Sequence, residues 1–449
     1  MSDQDKPVYK RLPVPDLPEG LHIDTLAIRE GMPPSQWGEN AEALFLTSSF
    51  CQPSAAVAAA RFANEEEAFT YSRFGNPTVM AFERRLAAME GAEMALATSS
   101  GMGAITALVM GLLKAGDHIV CSRSVFGSTI RLLQGEFGKF GVETTFVSQT
   151  DLAEWKAAIR PNTKLLFGET VGNPGLDVLD IPTVSAIAHE AGVPLLVDAT
   201  LTSPYLQEPL ALGADLVYHS ATKFLSGHGT VIGGIVVDGG SFDWDGPKAA
   251  GRFAELTEPY DGFHNMVFTE ESTIGAFLLR ARREGLRDFG ACMSPHTAWL
   301  ILQGIETLSL RMDRHMSNTR RVVEFLASQP FVARVGHPML DSHPSHALAQ
   351  KLLPKGAGSV FSFDIKGNRE QGKKFIETLK VFSHLANVGD CRSLVIHPAS
   401  TTHFRMSDEA LVNAGIRQGT IRLSIGLEDP DDLIDDLKRA LKAAEKAGG

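Results

Sequence analysis

Residues 194–224 read PLLVDATLTSPYLQEPLALGADLVYHSATKF, with an acid at the end of the first apolar run and a lysine just past the end of the second. PLLVDAT (194–200) and DLVYHS (215–220) are short and apolar and are closed by polar residues, which is how strands buried on both faces of a sheet read. Upstream lie HIVCS (118–122), TTFVS (144–148) and KLLFGET (164–170), and downstream lies GGIVVD (233–238). Between these runs fall amphipathic helical patterns such as TVSAIAHEAG (183–192), closed by a glycine where a left-handed cap is expected. Strand runs alternating with helices predict crossover units, hence an α/β fold whose mainly parallel sheet is covered by helices on both faces.

Outward from this block, residues 1–70 mix prolines, polar residues and the alanine-rich AAVAAARFA (55–63), and read as an arm of the kind that reaches a neighbouring subunit. The large domain is placed at 71–285. A long helical stretch from about 286 leads into a smaller α/β domain, 286–449, with strands in GSVFSFDIKG and QGTIRLSIGL. Residues 241–268 carry no regular pattern and read as an inserted loop, expected near the active-site entrance.

The 449 residues, 44 % of them hydrophobic, can bury a large core. A net charge of -11 argues against nucleic acid or an anionic membrane as partner, because both require basic surface. Small metabolites fit better. Cys51, Cys121, Cys292 and Cys391 show no paired spacing, so neither a zinc site nor a disulfide framework is expected. The N-terminal MSDQDKPVYKRLPVPDLPEG lacks the apolar core of a signal peptide, and no apolar run reaches the ~18 residues of a membrane span. The expected setting is the cytoplasm.

Three features carry chemistry. Lys223 in HSATKF (219–224) follows a buried strand, at the sheet edge where ligands bind in open α/β folds. A solvated loop lysine is the plain alternative. Ser220 and Lys223 also match S-x-x-K of serine acyl-enzymes, but no K-T-G follows. Asp198 ends an apolar strand, where a carboxylate is costly unless paired, and a protonated pyridine nitrogen would pair it; a helix cap or a metal ligand are the other readings. ATSSGMGAITALVMGLLKAG (97–116) opens an apolar helix on a polar, glycine-bearing turn, an anion site by its backbone amides, though close backbone packing explains it as well. Together they supply a phosphate holder, a ring-nitrogen partner and an amine for an aldehyde.

With these in place, the sequence resembles the Cys/Met-metabolism family of pyridoxal-phosphate enzymes. The resemblance runs from about residue 22 to the end, through YSRFGNPT (71–78), the SGM turn, ETVGNP (169–174), VDATLTSPYLQEPL (197–210), HSATK and IRLSIGLED (421–429). It implies the aspartate-aminotransferase-like fold type I, pyridoxal 5'-phosphate bound covalently through Lys223, and no metal. It further implies that Tyr71 and Arg73 bind the phosphate of an adjacent subunit's cofactor, so that a homo-oligomer, a tetramer built from dimers, shares its active sites. Ser100, Gly101, Met102, Ser220 and Thr222 are then phosphate ligands, Asp198 holds the ring nitrogen, and Asn173 lies near the phenolic oxygen and the substrate. Arg422 and Ser393 are expected to bind the substrate, Arg422 as the fork for its α-carboxylate.

Two positions depart from the family pattern. Phe126 in SRSVFGST stands where many relatives have a tyrosine, so it can stack on the ring but cannot move a proton. Ala199 replaces the usual asparagine after the ring aspartate. Within the family, the 241–268 segment, SHPSHALAQKLLPKGAGSV and NVGDCRSLVIHPASTTH (387–403) are most similar to O-acetylhomoserine sulfhydrylases, whereas SRSVFGST is similar to O-succinylhomoserine sulfhydrylases. The expected substrates are therefore an acyl-homoserine and sulfide. Acetyl is favoured because the segment holds five acids, Asp243, Asp245, Glu255, Glu258 and Asp261, against Lys248 and Arg252, which disfavours a succinyl carboxylate nearby. His343, His346, His397 and His403 read as structural histidines of the family blocks rather than metal ligands.

Overall fold

The computed structural model of the protein describes residues 17–35, 38–63, 65–66, 68–172, 175–262, 265–272, 275–401 and 416–448. All six apolar runs of the first unit form strands: β2 (His118–Ser122), β3 (Glu143–Val147), β4 (Thr163–Glu169), β5 (Leu195–Asp198), β6 (Leu216–His219) and β7 (Gly234–Asp238). A further strand, β1 (Met94–Thr98), precedes them. Its sequence, MALAT, has little of the β-branched and aromatic content that marks strands, which is why the pattern reading passes over it.

The seven strands lie in the order β1-β7-β6-β5-β4-β2-β3. β7 runs antiparallel to both neighbours, so the other six all point the same way. Alternation then assigns the faces. Leu96, Ile119, Phe167, Leu196, Leu216 and Val236 face a core shared with α4 (Gly101–Leu112) and the helical segment 276–288. On the other face, Val217, Ile235 and Val237 pack with α3 (Pro77–Met89) and the helix Pro295–Ile305. Val120, Leu166, Leu195 and Val197 on that face join residues of the helices Leu152–Ala158 and Ile181–Glu190. The latter is capped by the Asp180 side chain on the Thr183 amide and followed by Gly192 at φ 67°.

Before the sheet, α1 (Ile23–Arg29) lies against α3, whose buried Arg85 donates Nε to the Glu30 carbonyl at 2.6 Å. α2 (Ala55–Phe62) buries none of its residues in this chain. After the sheet, the helix Leu308–Ala327 carries Leu308 and Met312 into the first core and Val322, Val323 and Leu326 into the second. The second unit is a five-stranded sheet in the order β10-β11-β12-β9-β8. Its strands are β8 (Val332–Gly336), β9 (Val360–Ile365), β10 (Ser383–His384), β11 (Leu394–Ile396) and β12 (Thr420–Ser424). The helix Pro430–Lys446 covers it with Leu433, Leu437, Ala440, Leu441 and Ala444, a stripe at helical spacing.

For its first part, the position expected for the 241–268 segment is corrected. β7 ends at the edge where the parallel strands begin, and the segment is anchored there by the buried edge-to-face rings of Phe242, Trp244 and Phe253. Arg252 donates to the Pro161 carbonyl at 2.8 Å, and Glu255 accepts from Lys164 at 3.1 Å and pairs with Lys114 at 2.6 Å. This anchored stretch, 242–255, lies at the opposite edge of the sheet from Lys223 of the same chain, so Asp243, Asp245 and Glu255 do not surround an acyl group bound at that lysine. No helix among the described residues is long and apolar enough to cross a membrane.

Candidate active site

The C-terminal edge of the parallel strands gathers the chemistry. Glu169 pairs in register with Asp198, and Asp198 with Tyr218. Two residues earlier on each strand stand Phe167, Leu196 and Leu216, all in the core beneath α4. Glu169, Asp198 and Tyr218 therefore form a row on the α4 side, each at most 4 % exposed.

The first turn of α4 opens beside this row. Ser100 caps it, its side chain accepting from the Gly103 amide at 3.0 Å. The Gly101 and Met102 amides, first in the helix, have no intrahelical acceptor. A Cβ on Gly101 would overlap the Tyr218 hydroxyl and lie 3.1 Å from Ser220 Oγ. Glycine is required there because those two hydroxyls occupy the space. The Ser220 amide donates to Thr200 Oγ1 at 2.8 Å, fixing the turn that leads to Lys223.

Burial pushes the Asp198 carboxyl up to about 6, although Oδ1 accepts from the Thr200 amide at 2.9 Å. Glu169 is raised well above the usual range, first by burial and then by Asp198, while the Phe126 amide partly offsets this. Its Oε2 is buried without a hydrogen-bond partner among the described residues. Behind the row, the buried Glu90 and His219 form a hydrogen-bonded pair, and the His219 charge favours ionised Asp198.

Lys223 meets the second unit. Its Nζ donates to Asn387 Oδ1, and the Asn387 carbonyl accepts from Arg422 Nη2 at 3.5 Å. Burial, then the Arg422 charge, lowers the ammonium pKa of Lys223 and enlarges its neutral fraction. A Cβ on Gly389, which sits at φ 74°, would lie 3.0 Å from both Lys223 Cβ and the Phe224 amide nitrogen, so glycine suits this position. The Arg422 guanidinium, on β12, has its remaining N–H groups free of protein partners among the described residues, the arrangement a carboxylate fork needs. Sequence reading missed Asn387, Glu169 and Tyr218. Asn387 and Glu169 stand inside family blocks, and Tyr218 inside a strand, but nothing local marks them as chemical.

Other expected residues stand differently. Thr222 Oγ1 accepts from the Gly233 amide at 3.1 Å and donates to its carbonyl at 3.2 Å, so this hydroxyl is committed to backbone rather than offered to a phosphate. Ser393 is not brought to the cluster: fully buried, it donates Oγ to Glu428 at 2.7 Å and its amide to the same carboxylate. Arg73 donates to the Arg287 carbonyl and lies over the Tyr71 and Phe74 rings, without a hydrogen bond to the Lys223 cluster. Phe126 caps the helix that starts at Gly127 and leaves its ring half exposed. Asn173 and His403 lie outside the described residues. His343, His346 and His397 bond to backbone groups and, for His397, to Ser400, and no metal-ligand cluster is found among the described residues.

These residues fit pyridoxal phosphate. The buried Asp198 has no cation in hydrogen-bond contact among the described residues and would gain one from a ring N–H, the unbonded amides in the first turn of α4 suit an anion, and burial disfavours the charged form of the Lys223 amine. The model of Cys/Met metabolism PLP-dependent enzymes matches residues 24–442. The chain belongs to that family. It is a pyridoxal-phosphate-dependent enzyme, and its relatives align over almost its whole length. An O-acetyl-L-homoserine sulfhydrylase of Leptospira meyeri is 44 % identical over 436 residues, 95 % of this chain and 98 % of the relative. An O-succinylhomoserine sulfhydrylase of Pseudomonas aeruginosa is 44 % identical over 425 residues, 95 % of this chain and 96 % of the relative. Among solved structures, an O-acetylhomoserine (thiol)-lyase of Campylobacter jejuni superposes with a TM-score of 0.90 at 34 % identity, covering 94 % of this chain and 100 % of that one. That structure carries N'-pyridoxyl-lysine-5'-monophosphate.

Proposed function

We propose that this family member catalyses a γ-replacement, converting O-acetyl-L-homoserine and sulfide to L-homocysteine and acetate, a transferase step of methionine biosynthesis. The observation that carries the reading is the Lys223–Asn387–Arg422 cluster between the two units, in a chain 44 % identical over nearly its full length to an O-acetyl-L-homoserine sulfhydrylase. Pyridoxal phosphate, when bound, supplies an aldehyde that condenses with amines and a ring that stores the electrons released at the adjacent carbon. Arg422 holds the substrate α-carboxylate. Lys223 Nζ takes the Cα proton and then one Cβ proton; acetate leaves Cγ, sulfide adds there, and Lys223 returns both protons. Asn387 accepts from Nζ and aims it. Asp198 holds the ring nitrogen protonated. The free cysteines and acidic charge suit a reducing, cytoplasmic setting.

Succinyl is the second reading, favoured by the Pseudomonas aeruginosa relative at the same identity. The ratio of kcat/KM for the two esters with sulfide decides between them; it is expected to favour the acetyl ester, and a ratio favouring succinyl would reverse the assignment. Release of 2-oxobutanoate as the main product would instead make the enzyme a lyase.

We further propose that the active site is shared between subunits of an oligomer, a tetramer built from dimers. Tyr71 is 41 % exposed, Arg73 does not bond to its own chain's Lys223 cluster, and α2 buries none of its residues, so all three are available to a second copy. Mixing Arg73→Ala and Lys223→Ala proteins under conditions that exchange subunits is expected to restore part of the activity, since hybrids contain one intact site. No restoration argues that each site is complete within one chain.

A further inference from the structure

Tyr218 is a buried phenol that the mechanism above leaves unused. The residue is 4 % exposed, its hydroxyl makes no hydrogen bond among the described residues, and the oxygen itself is not fully sealed from solvent. Buried tyrosine hydroxyls ordinarily find one. Its place is set by the sheet: Leu216 and Tyr218 share the α4 face of β6, and the ring reaches up until its oxygen lies where a Gly101 Cβ would stand. Ser220 Oγ borders the same space. An unpartnered donor thus points at the first turn of α4, a helix of 12 residues, beside two backbone amides that also lack acceptors.

We propose that the Tyr218 hydroxyl is an additional ligand of the cofactor phosphate, donating to the anion that the Gly101 and Met102 amides and the Ser220 hydroxyl face. This rests on reading the α4 turn as the phosphate end of the site. Burial, then Asp198 and Glu169, push the phenol well above its ordinary range, so it keeps its proton and acts only as a donor. A phosphate is the acceptor that suits it. The cross-strand carboxylate, Asp198, already takes the Thr200 amide on Oδ1 and makes no hydrogen bond with Tyr218. The role is one of binding and positioning, not proton transfer.

The test compares pyridoxal phosphate with pyridoxal, which lacks the phosphate, as ligands of apo wild type and apo Tyr218→Phe, each titrated by quenching of protein fluorescence. Losing one hydrogen bond to a charged acceptor is expected to weaken pyridoxal phosphate binding about tenfold. Pyridoxal affinity should stay unchanged, which also reports that the variant is folded. Unchanged affinity for both ligands overturns the proposal. Equal weakening of both also overturns it, because the hydroxyl then acts on the ring or the fold. A wild-type protein that binds the two ligands equally would overturn the phosphate reading of the α4 turn itself, an outcome separate from either result on the variant.

Discussion

Replacing Lys223 with alanine is expected to reduce turnover by roughly 10⁴-fold, because the variant loses its proton-transfer group and its covalent attachment together. The structure singles out this lysine by its surroundings: Nζ is directed by Asn387 from the second unit, and burial with Arg422 enlarges its neutral fraction. Borohydride reduction of the wild type should fix the cofactor on the peptide that contains Lys223, and the Lys223→Ala protein should release its cofactor after the same treatment while still binding it through α4 and Asp198. Cofactor fixed to the variant chain would show that another lysine is the anchor.

Asp198→Asn is expected to move stability and activity in opposite directions. The folded carboxyl titrates near 6 against an ordinary 3.8, so the folded apo protein binds this proton more tightly than the unfolded chain does. A raised acid destabilises the fold above about pH 6, and the penalty is relieved as pH falls from about 6 towards 3.8. Removing the charge should therefore stabilise the apo protein at pH 7.5 by roughly 2 kcal/mol, a gain that fades near pH 4. Cofactor binding should weaken and kcat fall by at least about a hundredfold, as when a preorganised charge partner is lost. Urea unfolding of both apo proteins at pH 7.5 and 4.5, beside turnover of the loaded enzymes, measures each part. An apo variant less stable than wild type at pH 7.5 would mean that Asp198 already has a cation in the empty fold. Near-normal turnover would remove the ring-nitrogen role.

Asp198 and Lys223 are both legible in the sequence because strand ends are local features. PLLVD and DLVYH stop being apolar at Asp198 and His219, and the strands stop there too. Ser100, with a glycine after it, marks the start of α4 in the same way. The second unit is harder to read: β8, β10 and β11 are short or partly exposed, and their patterns do not rise above loop. The first part of the 241–268 segment misses the entrance of its own chain's site for a topological reason. The antiparallel direction of β7 cannot be read from GGIVVD, yet it sends the chain to the far edge.

The sequence by itself determined six of the seven strands of the large sheet, the alternation that turns Asp198 to the same side as Leu196, the glycine-opened helix and the lysine beyond β6. These follow from periods of two and 3.6 residues and from the few residue types that cap and turn a chain. Only the tertiary structure decided that Asn387 would meet Lys223 from 164 residues away, that Glu169 would sit beside Asp198, and that the Tyr218 hydroxyl would fill the space a side chain on Gly101 would need. Such meetings depend on strand order, strand direction and the packing of one unit on the other, which are set by burying the whole apolar surface at once rather than by any local run of residues.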